Sequence, residues 1–277
     1  MKPFSLPNGA KAAVTFCFDV DAEASWILDE ENKKRLSLLS AGAYGRRNGV
    51  PRILNLLEKH EIPAQFFIPG YTAEIDEELV KTISEKGYPI GCHGYNHERT
   101  DTLSYKEEDI IIRSKEIVER ITGQSPRGYR APLWEITPQT IDLLVKHDFV
   151  YDSSLMGDDV PYAIMAKEKW LLEFPVTWML DDWEQFAYSA MPQVGAVIEE
   201  PDKVLRMWKA EFEALYEEGR HFILTVHPEI IGRPSRIKML DNLITYIKTF
   251  DGVMFCSLDA LYEEWQKGTF SVDVHPY

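Results

Sequence analysis

Cysteine is scarce in this chain: Cys17, Cys92 and Cys256 are all there are in 277 residues. An odd and sparse count excludes a disulfide framework. Each lies in an apolar, strand-like run, so three buried free thiols are expected. Long hydrophobic runs are missing too. No stretch approaches the roughly 18 residues of a membrane span, and residues 1–9 lack the apolar centre of a signal peptide. The expectation is a cytoplasmic protein in a reducing compartment, with no membrane partner. Positive charge is also in deficit. Thirty Lys and Arg against 45 Asp and Glu give a net charge of −15, which argues against nucleic acid as a partner.

What is present is enough apolar residue, 45% of the chain, for one large core. Short runs rich in Val, Ile, Phe and Tyr predict strands at 12–18, 64–68, 89–92, 128–130, 169–175, 222–226 and 253–256. Amphipathic stretches between them predict helices at 50–60, 77–86, 105–122, 138–146, 203–218, 236–250 and 258–267. Ser104 with Glu107 reads as a capping box, and Thr137 before Pro138 as a cap ahead of a first-turn proline. Gly87, Gly123 and Gly219 fall where left-handed helix ends are expected. Regular strand–helix alternation means parallel strands with helical crossovers. No repeat or linker divides the chain, so residues 1–277 are expected to form a single α/β domain.

The chemistry-bearing residues sit where strands end, and the carboxyl ends of parallel strands share one face of a sheet. Phe16-Cys17-Phe18-Asp19-Val20-Asp21 ends an apolar run in two carboxylates, which strand alternation puts on one side. His93-Gly94-Tyr95-Asn96-His97 offers two imidazoles four residues apart, close together if the segment makes a helical turn. Two His and one of these carboxylates make a facial metal set with positions left open. Arg130 in a strand run needs an anionic partner, and a bidentate pair with Asp19 would supply it. His227, at the end of Leu224-Thr225-Val226, suits a general acid that protonates a leaving amine. Asp181 and Asp182 could fix its tautomer or bind substrate, or form a solvated turn; Asp158 and Asp159 are weaker candidates of the same kind. Trp134 is a substrate platform or core. His60, His147, His221 and His275 have no such context and read as structural. Residues 42–49 read as a flexible lid or an ordinary loop.

The order of these blocks resembles the polysaccharide deacetylase (NodB-homology, carbohydrate esterase 4) family. Thr15–Asp21 is similar to its first motif, His93–His97 to its two-histidine metal motif, Arg130-Ala131-Pro132-Leu133-Trp134 to its RxPxW block, and Leu224–Pro228 to the block that carries the acid. Trp178–Trp183 is the weakest match, where the family has an Asp that pairs with that His. The resemblance implies a distorted (β/α) barrel. It implies Asp19 as base and Asp21, His93 and His97 as ligands of one divalent ion, zinc by default, with cobalt, iron or nickel as alternatives. Because Val20 separates the two aspartates, their roles are interchangeable on sequence. Asp-x-Asp spacing and the Tyr151-Asp152-Ser153-Ser154-Leu155-Met156 run look most like an intracellular peptidoglycan-deacetylase-like branch. That branch has relatives acting on cyclic imides and allantoin, and its members are commonly homo-oligomers, up to tetramers. The expected activity is hydrolysis of a non-peptide amide C–N bond in a small-molecule or glycan substrate. A catalytically silent carbohydrate- or ligand-binding protein is the alternative from another class; an iron oxygenase fits the strand order poorly.

Overall fold

The computed structural model describes residues 6–100, 103 and 107–276. Twelve strands are found among them: β1 Ala12–Asp19, β2 Gln65–Ile68, β3 Ile90–Cys92, β4 Gly128–Tyr129, β5 Tyr151–Asp152, β6 Tyr162–Ala166, β7 Lys169–Glu173, β8 Ser189–Ala190, β9 Gln193–Val194, β10 His221–Val226, β11 Val253–Phe255 and β12 Asp273–His275. One sheet runs in the order β10-β1-β2-β3-β4-β5-β7-β6-β12, with β11 also on β1. Its ladders are parallel except for the β6–β7 hairpin. The expected α/β barrel is thus present in distorted form. The outer edge of β10 meets the wall through one bridge, Asp181 to Thr225, and a bond from His221 N to Asp159 O of 3.3 Å.

Every residue of β1 is buried, as expected of a parallel strand covered on both faces. Alternation divides it. Val14, Phe16 and Phe18 pack outward under the helices, with Leu57, Phe66 and Leu224. Ala13 and Cys17 face the barrel interior, with Phe67, Tyr151, Phe174 and Ile223. Asp19 continues the interior row, and so arrives at the mouth of the barrel.

The helices form largely as their patterns predict: Val50–His60, Glu77–Glu85, Glu107–Thr122, Pro138–Lys146, Pro201–Glu218, Pro234–Ile247 and Leu258–Gln266. Thr137 Oγ1 accepts from the Thr140 backbone N–H and completes a capping box. Gly219 closes the 201–218 helix at φ 69, ψ 47, a left-handed end that glycine takes without steric cost. Ser104, the other proposed cap, lies outside the described residues.

Residues 42–49 are not a lid. Helix Leu36–Tyr44 runs through a π-helical turn, Gly45–Gly49, into Val50–His60. A Cβ on Gly42 would stand 2.4 Å from Ala22 O, on Gly45 2.7 Å from Glu229 Oε2 and on Gly49 2.2 Å from Pro228 O. The glycines are there for close approach of backbones, which a loop reading of a glycine-rich stretch overlooks.

Candidate active site and metal centre

The ends of β1, β3, β4 and β10 converge on one cavity of about 320 Å³. Asp19, Asp21, His93, His97, Asp181 and His227 line its depth. Trp26, Trp134, Trp178 and Trp183 wall it, with Leu133 beside Trp134, and Pro192 and Val194 from the β8–β9 hairpin. That hairpin and the tryptophans close the cavity where residues 42–49 were expected to.

His93 and His97 come together without a helix. The segment is irregular, and Gly94 (φ 64) and His97 (φ 61) both take left-handed backbone. The rings lie 5.0 Å apart. His93 Nδ1 donates to Arg130 O at 2.7 Å, which fixes the tautomer and turns the Nε2 lone pair inward. His93 Nε2 is then 3.4 Å from Asp21 Oδ1, and His97 Nε2 3.2 Å from Asp21 Oδ2. One ligand atom from each of the three residues falls within a 4.8 Å cluster. Asp21 Oδ1 is buried and meets no hydrogen-bond donor. A carboxylate oxygen left this way in the interior is costly unless a cation completes it, so the donor set fits a divalent ion. Burial would raise the Asp21 carboxyl, but His97, then His93 and His227, outweigh it and hold the group well below the ordinary carboxylate range. Burial lowers His93, only partly opposed by Asp21 and Asp19, which keeps it neutral as a ligand must be.

Asp19 faces the other way. Its Oδ1 accepts from Arg130 Nη1 at 2.9 Å, and its Oδ2 is 3.9 Å from His93 Nε2. The contact is single, not the expected bidentate fork, because the rest of the guanidinium is engaged elsewhere. Nε donates to Ser153 O at 2.9 Å, Nη2 to Ser153 Oγ at 2.8 Å, and Nη1 also to Thr225 Oγ1 at 3.2 Å. Arg130 is wholly buried and lies 4.4 Å from the centre of the Phe67 ring.

His227 is held by Asp182. Asp182 Oδ1 accepts from His227 Nδ1 at 2.8 Å and from its backbone N–H at 3.0 Å. The bond leaves Nε2 toward the cavity, 3.8 Å from Asp21 Oδ2. Burial disfavours the imidazolium, but Asp181, Asp182 and Asp21 together raise its pKa well above the ordinary value. Asp181 lies 3.7 Å from the ring and accepts from Trp183 N at 2.7 Å. Asp181, Asp182 and His227 are themselves close enough to hold an ion, but His227 Nδ1 is engaged by Asp182 in a hydrogen bond of 2.8 Å.

Trp134 is buried, packs against Trp178 with ring centres 4.3 Å apart, and lines the cavity wall. Leu133 and Trp134 both have φ 56, a conformation that bulky residues reach only when surroundings impose it. Trp26 and the 192–194 hairpin carry no motif, and Trp183 ends the weakest block without being singled out; none of the three was foreseen on the cavity wall. Asp158 and Asp159 stay outside the cavity: Asp158 lies 3.6 Å from His275. His60, His147 and His221 pair with Asp241, Glu108 and Thr15, as structural residues.

The profile of the polysaccharide deacetylase family matches residues 30–151. A peptidoglycan deacetylase of Helicobacter pylori is 30% identical over 281 aligned positions, covering 92% of this chain and 96% of that one. The chain belongs to the polysaccharide deacetylase family. A crystal structure from Mycobacterium smegmatis, named only provisionally as a polysaccharide deacetylase, superposes with a TM-score of 0.93 at 36% identity, over 99% of this chain and 96% of that one. The Puue allantoinase shares the fold, with a TM-score of 0.83 at 23% identity, over 96% and 95% of the two chains.

Proposed function

We propose that this protein is a divalent-metal-dependent hydrolase of a non-peptide amide bond, with Asp21, His93 and His97 as ligands, Asp19 as base and His227 as acid. The observation that carries the reading is the division of labour between the aspartates: Asp21 lies against both imidazoles, while Asp19 is bound to Arg130. What an ion would supply when bound is Lewis acidity, which lowers the pKa of water to about 7. Asp19, oriented by Arg130 through its Oδ1, takes a proton from the attacking water through its Oδ2. His227 holds a proton at Nε2 for the leaving nitrogen, with Asp182 supporting the charge that makes this possible. Trp134 and Asp181 contact substrate from the wall. Zinc remains the expected metal.

A small amide or cyclic imide suits the cavity best. Its volume of about 320 Å³ is at the low end of the ~300–1,000 Å³ usual for ligand pockets, and tryptophan encloses it. Removal of an N-acetyl group from a glycan is the second reading, favoured by the name of the Helicobacter pylori relative and its near-full coverage. Elemental analysis of purified protein, with turnover of succinimide, hydantoin and an N-acetylglucosamine tetramer, tests both. Wild type is expected to carry one divalent ion per chain and His93→Ala none. A metal-free wild type active in chelator would overturn the metal assignment; faster turnover of the tetramer than of either ring would restore the glycan reading.

A further inference from the structure

Behind Arg130, away from the cavity lining, lies a second cluster of ionisable groups. Asp152 on β5 and Glu173 on β7 are register partners, and both are wholly buried. Arg130 makes its ion pair with Asp19, and among the described residues neither acid forms one of its own. Glu173 Oε1 accepts from the backbone N–H groups of Ser154 and Leu155, both at 2.9 Å. Asp152 Oδ1 accepts from Ser154 Oγ at 3.0 Å. The second oxygen of each, Asp152 Oδ2 and Glu173 Oε2, is buried with no N–H or O–H to accept from. As register partners on neighbouring parallel strands, the two side chains leave the sheet on the same face, side by side. Two ionised carboxylates so disposed repel, whereas one proton between them turns the same geometry into a strong hydrogen bond.

The segment these acids grip is the one that holds Arg130. Ser154 Oγ accepts from Ala131 N at 2.9 Å. Ser153 takes two of the guanidinium donors, on its carbonyl and its hydroxyl, and passes its own proton to Phe174 O at 2.8 Å. Residues 152–155 are thus pinned on one side by the acids and pin Arg130 on the other.

We propose that Asp152 and Glu173 share one proton between Asp152 Oδ2 and Glu173 Oε2, and that the pair positions Arg130 and, through it, Asp19. Burial and then the charge of Asp152 push Glu173 well above its ordinary value, so Glu173 carries the proton. Asp152 is pushed by burial only to about 6, offset by bonds from Glu173 and Ser154 and by the charge of Arg130. Only the step to Asp19 rests on the hydrolase reading; the shared proton does not.

Amide substitution tests this without relying on turnover. Glu173→Gln and Asp152→Asn each keep one donor and one acceptor between the side chains. The double variant sets two NH₂ groups face to face. Infrared difference spectra at pH 7, wild type minus Glu173→Gln, should show the C=O stretch of a protonated carboxyl. The Arg130 Nε–H resonance should stay sharp and slow to exchange in both single variants and broaden in the double. In a double-mutant cycle the double should lose more kcat than the singles combined, with metal content unchanged. Absence of the protonated-carboxyl band would overturn the shared proton. An Arg130 resonance that is the same in the double as in the singles would overturn the positioning role. Should the double not fold, Glu173→Leu, which leaves Asp152 Oδ2 without a donor and frees the Ser154 and Leu155 amides, should broaden the Arg130 resonance in its place. Loss of all turnover in wild type would count against the hydrolase reading alone, since the band and the resonance are read without substrate.

Discussion

At the level of single residues, the site is an arrangement of charges that would be unstable apart. Asp182 supports an imidazolium on His227, and its removal has a definite sign. His227 must be protonated to act as an acid, and its nearby carboxylates raise its pKa. Asp182→Asn therefore lowers that pKa, and the alkaline limb of the kcat profile moves to lower pH. A profile that keeps its limb in place would assign the acid elsewhere. His227→Ala should cost about 10²–10⁴ in kcat, the usual worth of general acid catalysis, with metal content unchanged. Asp19→Asn should behave likewise, whereas Asp21→Asn should lose metal and activity together, as measured by elemental analysis. That these residues gather at one cavity was legible in the sequence because short motifs at strand ends carry them. Which aspartate meets Arg130 was not, since the contact is made across 111 residues of chain. Ser153 was invisible as the main partner of Arg130 for the same reason, and Trp26 and Trp183 resemble ordinary core residues in sequence.

At the level of elements, periodicity located the long helices and the buried strands to within about three residues at each end. It missed β5, of two residues, because so short a run carries no period. It missed β6, because its hairpin with β7 depends on pairing and not on composition. Residues 42–49 were misjudged because their glycines suggest a loop, while their use is to let the helix touch the Pro228 turn. Gly49→Ala tests that use. The new Cβ would meet a backbone oxygen at 2.2 Å, which no side-chain rotation relieves. A loss of about 1–3 kcal/mol is expected from overpacking of this kind, read as a lower denaturant midpoint. Because Pro228 follows His227, kcat should fall as well. An unchanged midpoint would mean that the two backbones separate easily.

For the whole molecule, stability should fall on the acid side, and His221 is one identifiable cause. Burial holds it down at about 3, against an ordinary 6.5. Below pH 6.5 the unfolded chain binds a proton that the folded chain refuses. Its contribution is thus present above pH 6.5 and is lost progressively as pH falls toward 3. The limiting slope for one such group is about 1.4 kcal/mol per pH unit. Denaturant titrations between pH 7 and 4 should show a shallower fall for His221→Gln than for wild type; parallel curves would remove His221 from the account.

The bridge between Asp181 and Thr225 has a consequence for how the enzyme breathes. The Asp182 amide bonds Thr225 O at 3.2 Å, and Asp182 also grips His227. A seam of the wall only one bridge wide therefore carries the residue that aligns His227. Parting it needs no strand to unfold, yet it would idle the imidazole and let bulk water in from the side. Amide hydrogen exchange at Asp182 should accordingly run faster than at Phe16 in β1, and the opening equilibrium sets a ceiling on the fraction of time the imidazole of His227 stands aligned.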